Sequence, residues 1–208
     1  MAMYFKEYRW LVGSDLYRYT GLVNARIFVR HFLRNPGFKY SFWMRTCFYF
    51  HQNKIFRHSL FFPARLILDH YAYKYGISIP FSTRIESGLY LPHFGGIVVN
   101  GQSIIGKNCT ILQGVTIGQA SRGKKRGYPI IGNNVYISAG AKVIGKVTIG
   151  NNTVLGANCV ITSDVPDKAI VATTPATVIS YEGSEGYTDR TDYQPFPDAA
   201  CESTTSIT

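Results

Sequence analysis

Three features of the 208-residue chain predict a mainly β fold, a parallel β-helix of hexapeptide repeats carrying a helical region at its amino-terminal end. Aliphatic residues recur at every sixth position: Ile79, Ile85, Leu91 and Ile97, then Ile105, Ile111 and Ile117, then Ile131, Ile137, Val143, Ile149, Leu155 and Ile161. Four residues after most of these anchors stands a small or modest residue, namely Cys109, Val115, Val135, Ala141, Val147, Thr153, Cys159 or Val165. Turn signals follow at the same interval, as in Gly106-Lys107-Asn108, Gly132-Asn133-Asn134 and Gly150-Asn151-Asn152. Period six fits neither a helix at 3.6 nor a hairpin sheet at 2, and it is the signature of a solenoid in which each unit adds one short strand and one turn.

The chain divides by composition. Residues 1–76 hold twelve Lys/Arg against three acids, and 21 of the 30 aromatic residues. Pro36-Gly37 and Pro63 punctuate this region, which reads as helical in pieces. Arg45, His51, Lys54, Arg57 and Arg65 interrupt every apolar stretch, so no spanning helix is expected. Two readings stay open: a helical cap that closes the open end of the solenoid and serves assembly, or a basic, aromatic surface that also touches an anionic membrane. No nucleic-acid partner is expected, because a solenoid offers no groove-reading element. Met1 to Trp10 lacks an apolar core of the secretory type, so no leader is expected.

Residues 77–180 carry the repeat. Three six-residue units close one triangular coil with the anchors stacked inside, and the narrow interior accounts for the small residues. In the turns, a positive φ is expected at Gly or Asn. Register breaks twice. The spacing of eight between Ile97 and Ile105 places two extra residues near Asn100-Gly101. The spacing of fourteen between Ile117 and Ile131 places eight extra residues in a protruding loop, 119–130, with the basic cluster Arg122, Lys124, Lys125 and Arg126. Insertions in solenoids map to one face, often the binding face. Residues 181–208 are acidic and rich in Gly, Ser, Thr and Pro, and read as a mobile tail. The scattered cysteines Cys47, Cys109, Cys159 and Cys201 predict neither a disulfide frame nor a metal site, and suit a reducing cytosol.

The segments Leu91-Pro92-His93-Phe94-Gly95-Gly96-Ile97-Val98-Val99-Asn100, Ile111-Leu112-Gln113-Gly114-Val115-Thr116-Ile117-Gly118 and Ile137-Ser138-Ala139-Gly140-Ala141-Lys142-Val143-Ile144-Gly145 resemble the hexapeptide-repeat acyltransferases. Within these the chain is similar to the serine acetyltransferase-like branch, which includes bacterial polysaccharide O-acetyltransferases. The resemblance covers roughly Ile77 to Ile179. It implies a left-handed coil, a homotrimer with active sites in clefts between subunits, and acetyl-CoA as co-substrate, with no metal. It assigns the general base to His93, and the cleft lining for CoA to Gly118, Ala139 and Ala157. Lys142 and Lys168 are candidate partners for the CoA phosphates.

Transfer of an acetyl group from a thioester to an alcohol requires the hydroxyl to lose its proton as it attacks. Imidazole, with an ordinary pKa of about 6.5, suits that task, and general-base assistance is typically worth about 10²–10⁴-fold. Holding thioester and acceptor together removes much of the remaining barrier without a covalent intermediate.

The departures from the family bear on the acceptor. Pro92 and Ser78 stand where serine acetyltransferases carry aspartates, and the Arg-His pair that precedes a proline in the family's loop is here Gly127-Tyr128 before Pro129. Thr173-Thr174-Pro175-Ala176-Thr177 lacks the base expected at Thr177. Neutral and aromatic groups, with Tyr128 and Phe94 as stacking surfaces and Glu86 as an orienting partner for His93, suit a sugar better than a zwitterion. The expectation is therefore a cytoplasmic acetyl-CoA-dependent O-acetyltransferase acting on a sugar or lipid-linked glycan of a surface polysaccharide, at the inner membrane face. The alternatives are a serine O-acetyltransferase of cysteine biosynthesis, and a non-catalytic solenoid scaffold.

Overall fold

The structure, a computed structural model, describes residues 3–173. The tail assigned to 181–208, and the last residues of the region assigned to 77–180, lie outside the described residues.

Five helices come first: α1 (Phe5–Thr20), α2 (Ala25–Arg34), α3 (Pro36–Gln52), α4 (Lys54–Ser59) and α5 (Phe61–Tyr75). Three of them start at asparagine. The side chains of Asn24, Asn35 and Asn53 accept from the backbone N–H groups of Ile27, Phe38 and Ile55, which supplies the first-turn donors with partners. Pro36 occupies the first turn of α3, where its missing N–H is harmless. Pro63 does not interrupt a helix as its position in the sequence suggests. It sits in the first turn of α5 and helps to start it. Gly21 and Gly76, both at left-handed φ, end α1 and α5.

Thirteen short strands follow: β1 (Ile77–Ser78), β2 (Arg84–Ile85), β3 (Ile97–Val99), β4 (Ile104–Ile105), β5 (Thr110–Ile111), β6 (Thr116–Gly118), β7 (Ile130–Ile131), β8 (Tyr136–Ile137), β9 (Lys142–Ile144), β10 (Thr148–Ile149), β11 (Val154–Leu155), β12 (Val160–Ile161) and β13 (Ile170–Val171). Every pairing between them is parallel. They form three sheets, β1-β3-β6-β9-β12, β2-β4-β7-β10 and β5-β8-β11-β13, which are the three sides of a prism. Each strand pairs with the strand one coil away, so the anchors Ile105, Ile131 and Ile149 stack on one side, and Ile111, Ile137 and Leu155 on another. All thirteen anchors from Ile79 to Ile161 are buried, as are the eight small positions. Thr153, the polar member of that inner row, donates its hydroxyl to the Gly150 carbonyl at 2.8 Å.

In the turns of Gly106, Gly132 and Gly150 the left-handed φ values fall on Asn108, Asn134 and Asn152, whose side chains join in a ladder: Asn108 Nδ2 donates to Asn134 Oδ1 and Asn134 Nδ2 to Asn152 Oδ1, each at 2.9 Å. Gly106 and Gly132, in the same turns, do not have φ in the left-handed region. They are glycine because the next coil lies against them: a Cβ on Gly106 would stand 2.5 Å from the Gly132 carbonyl oxygen.

The first coil has no strand above it, and the helices supply what a strand would. The Tyr40 hydroxyl donates to the Ile79 carbonyl (2.9 Å) and accepts from its N–H (3.0 Å). The Tyr19 hydroxyl does the same for Leu91. Arg45 donates to the carbonyls of Ile85 and Glu86, Asp15 accepts from the Leu89 N–H, and Ser14 from that of Gly88. These five side chains pair the edge on all three sides, which removes the liability of an open solenoid end. Apolar packing follows the same seam: Tyr40, Met44, Cys47, Ala64 and Leu68 share one core with the anchors.

Candidate active site

His93 stands on the edge of the prism where the β5-β8-β11-β13 side meets the β1-β3-β6-β9-β12 side. Two consecutive glycines at left-handed φ, Gly95 (103°) and Gly96 (65°), make the turn that carries it outward. His93 is exposed and its imidazole makes no hydrogen bond to the described residues. Three later turns stack beneath it. Gly114 N–H donates to Gly95, Gly140 N–H to Gln113, and Asn158 N–H to Ala139, at 2.8 to 2.9 Å. Gly95, Gln113, Ala139 and Ala157 therefore form one column along this edge, with His93 and Phe94 in the turn at its top, and three coil spacings put Ala157 roughly 14 Å below that turn. Gln113, exposed in this column, drew no role from the sequence; its place follows only once the register of the coils is known.

The other candidates fall in several places. Gly118 ends β6 on the adjoining side, paired with Ile144. Lys142 begins β9 close to the column, and its ammonium donates to the Gly114 carbonyl, so its charge is held against the backbone. Lys168 lies on a different edge, in a turn at left-handed φ. Glu86 also lies away from His93, at the end of β2. Its backbone pairs with Ile105 and Arg45, and no hydrogen bond joins its carboxylate to His93. Phe94 packs against Tyr75 of α5 with ring centroids 5.7 Å apart and stays half exposed.

The inserted loop is a small hairpin. Ala120 and Gly127 exchange two backbone hydrogen bonds, and the Lys125 carbonyl accepts from the Lys146 N–H, which lays the hairpin against the next coil. Lys125 reaches Asp164 at 3.5 Å on the surface. Backbone donation from Thr148 and the nearby ammonium hold the Asp164 carboxyl below the usual range. A cleft of about 460 Å³ opens beside the hairpin, lined by Gln119, Ala120, Ser121, Arg126, Gly127 and Tyr128. Arg126, which the sequence offered only as one of the loop's basic cluster, lines this cleft. The motif comparison put Gly127-Tyr128 in the basic positions, and the adjacent arginine reaches the same cleft from one residue earlier.

Within one chain His93 and this cleft lie on different edges, separated by one side of the prism, roughly 20 Å. Among the described residues, no three His, Cys, Asp or Glu side chains gather around a common point that could hold a metal ion.

Residues 128–163 match the family described as bacterial transferase hexapeptide (six repeats). Serine acetyltransferase of Staphylococcus epidermidis is 34% identical over 131 residues, 63% of this chain and 62% of its own length. That of Synechococcus elongatus is 36% identical over 124 residues, 60% of this chain and 50% of its own. Among solved structures, Neisseria gonorrhoeae serine acetyltransferase in complex with serine superposes with a TM-score of 0.66 at 28% identity, covering 83% of this chain and 69% of that one. Soybean serine acetyltransferase complexed with serine gives 0.65 at 28% identity, with the same coverage. The three-sided coil and its repeat are of the hexapeptide-repeat transferase type, and residues 128–163 carry the family's match. The coil is left-handed, as the resemblance implied. The chain spans 50–62% of the length of these sequence relatives.

Proposed function

We propose that the protein is an acetyl-CoA-dependent O-acetyltransferase of the serine acetyltransferase type. The observation that carries the reading is the edge on which His93 stands in the turn above Gln113, Ala139 and Ala157. It sets an exposed base at one end of a run of small side chains and backbone groups against which a pantetheine can lie. Its relatives are serine acetyltransferases, and one solved structure of that fold, 25% identical with a TM-score of 0.65, is a complex with CoA.

The acceptor is L-serine, the reading set out above as the alternative, and not the sugar expected first. The relatives described above are serine acetyltransferases, which supports serine. The inference from missing charges also weakens, because Arg126 lines the loop cleft and can receive a carboxylate. His93 and the loop cleft lie on separate edges of one chain, so a trimer is part of the proposal: the loop of one subunit covers the His93 edge of the next. Gly118, Ala139 and Ala157 line the donor path, His93 takes the hydroxyl proton as the oxygen attacks the thioester, and a backbone N–H of the column receives the developing oxyanion. The protein works in the cytoplasm, where its acyl donor is made.

A second reading rests on Tyr128, a half-exposed ring beside Arg126 in the same cleft. It is the acetylation of a sugar hydroxyl stacked on that ring. Release of CoA thiol from acetyl-CoA, measured with L-serine and with a panel of nucleotide sugars, decides between them. Release with serine, lost in His93→Ala, supports the proposal. Release with a sugar alone restores the second reading, and release unchanged in His93→Ala removes the assigned base.

A further inference from the structure

We propose that α2 and the turn before it dock the protein on an anionic lipid bilayer, a role separate from acetyl transfer and independent of it. One face of α2 is anchored. Phe28 and Phe32 pack their rings against Phe42 at 5.6 and 5.2 Å, with Phe28 also against Phe38 at 5.7 Å. Ile27 and His31 lie on the same packed side, and the remaining residues of the helix, Ala25, Arg26, Val29, Arg30, Leu33 and Arg34, are exposed.

That outward surface has two stripes. Arg26, Arg30 and Arg34, spaced four apart, form a row about 12 Å long. Ala25, Val29 and Leu33 form the row beside it, with Val29 54% and Leu33 65% exposed. The apolar row continues into Leu22 and Val23, both more than half exposed. Val23 reaches α1 close to Gly13 and shares a shallow pocket there with Trp10 and Tyr17. Exposed aliphatic and indole groups beside a cation row are the composition of a helix that lies in the plane of a membrane interface.

Charge identifies the occupant. None of the three arginines makes an ion pair or hydrogen bond to the described residues. No Asp or Glu occurs between Leu16 and Leu68, and the nearest acid before them, Asp15, is buried against Arg45. A second copy of this surface would bring three cations against three. A nucleic acid would leave Val29, Leu33 and Trp10 without a contact. A bilayer of acidic phospholipid takes both rows at once, since guanidinium groups reach phosphates while the aliphatic side chains enter the acyl boundary. No described helix is long and apolar enough to cross the membrane, so the contact is peripheral.

Flotation of the full chain with vesicles of phosphatidylcholine alone, and of phosphatidylcholine mixed with phosphatidylglycerol, tests this. The protein is expected to float with the mixed vesicles at low salt and to remain below with the neutral ones. Replacing Arg26→Gln, Arg30→Gln and Arg34→Gln together should lower the partition about 10²-fold, at about 1 kcal/mol for each cation near an anionic surface. Val29→Ser with Leu33→Ser should lower it at least tenfold with the arginines intact. These side chains are exposed, so the variants should melt like the parent, and CoA-thiol release with a soluble acceptor gives an independent reading. The proposal fails if the parent does not float with the mixed vesicles, or if the triple variant floats as the parent does. It also fails if the serine variant binds undiminished, which would show simple polyanion binding, or if either variant changes the oligomeric state, which would show a face covered by another subunit.

Discussion

The hydroxyl of Tyr40 is both donor and acceptor to one residue, Ile79, and so takes the place of the strand that the first coil lacks. Tyr40→Phe keeps the ring and leaves the buried N–H and C=O of Ile79 without partners. The expected loss is about 2 kcal/mol, a fall in melting temperature of roughly 4–8 °C for a chain of this size. Burial, opposed by the bond to Ile79, pushes the Tyr40 phenol up to about 12 from 10.0. A raised folded-state value means that the contribution is intact below pH 10 and is lost as pH climbs from 10 through 12. Melting curves of the parent should therefore steepen their decline over that window, and the difference from Tyr40→Phe should shrink there. Parallel curves across the window would show that the hydroxyl is not the edge partner.

Arg45 ties α3 to α1 through Asp15 at 3.1 Å and to the coil through two carbonyls. Asp15→Asn breaks a buried pair and should destabilise by about 3–5 kcal/mol. A buried pair can often be exchanged for apolar residues at little loss. Here the exchange should fail, because Asp15→Leu with Arg45→Met also strands the Leu89 N–H and the carbonyls of Ile85 and Glu86. Denaturant unfolding of the single and double variants measures this, and recovery of parental stability in the double variant would contradict it.

Gly106→Ala tests the close stacking of the turns. The added methyl would meet the Gly132 carbonyl oxygen at 2.5 Å and Asn133 Oδ1 at 2.7 Å, and the backbone behind them cannot yield without moving the next coil. A loss of about 1–3 kcal/mol is expected from thermal melting. A neutral result would show that the coils separate more easily than their ladder of hydrogen bonds implies.

The anchors were legible because period six holds in ten of the twelve intervals between them, and each of them is buried where the repeat puts it. The inserted loop was legible as a break in that period. Pairings across the seam were not: nothing in the sequence connects Tyr40 with Ile79 or Asp15 with Leu89, since the helices approach the coil from 39 and 74 residues away. Positive φ was expected at Gly or Asn and falls on Asn108, Asn134 and Asn152; why Gly106 and Gly132 are glycine was not legible, because steric crowding and backbone freedom select the same residue type and only the next coil distinguishes them. The acceptor site was legible only in part. Matching the loop residue by residue fixed attention on Gly127-Tyr128, whereas the hairpin carries Arg126 into the cleft.

Arg126 gives that correction a test. If its guanidinium receives the carboxylate of serine, Arg126→Gln removes a charge-assisted hydrogen bond worth roughly 1.5–3 kcal/mol. Initial rates should then show a KM for serine raised about ten- to a hundredfold, with the KM for acetyl-CoA unchanged. Equal loss for both substrates would place Arg126 in the donor path, and no change would return the acceptor to the neutral reading.

His93 and Ala157 lie at opposite ends of one column, so substitutions there should divide the kinetics. Both are exposed and His93 makes no hydrogen bond to the described residues, so His93→Ala and Ala157→Leu should each leave stability within about 0.5 kcal/mol of the parent. His93→Ala removes the proton acceptor and should lower kcat by about 10²–10⁴-fold, with little effect on the binding of either substrate. Ala157→Leu leaves the base in place and puts a branched side chain where the donor is proposed to run. It should raise the KM for acetyl-CoA and spare kcat at saturating donor. Steady-state rates over a range of acetyl-CoA, with melting curves as the folding control, separate the two. A fall in kcat with unchanged KM in Ala157→Leu would mean that the column is not the donor path, and that the small residues along it serve only to turn the corner of the coil.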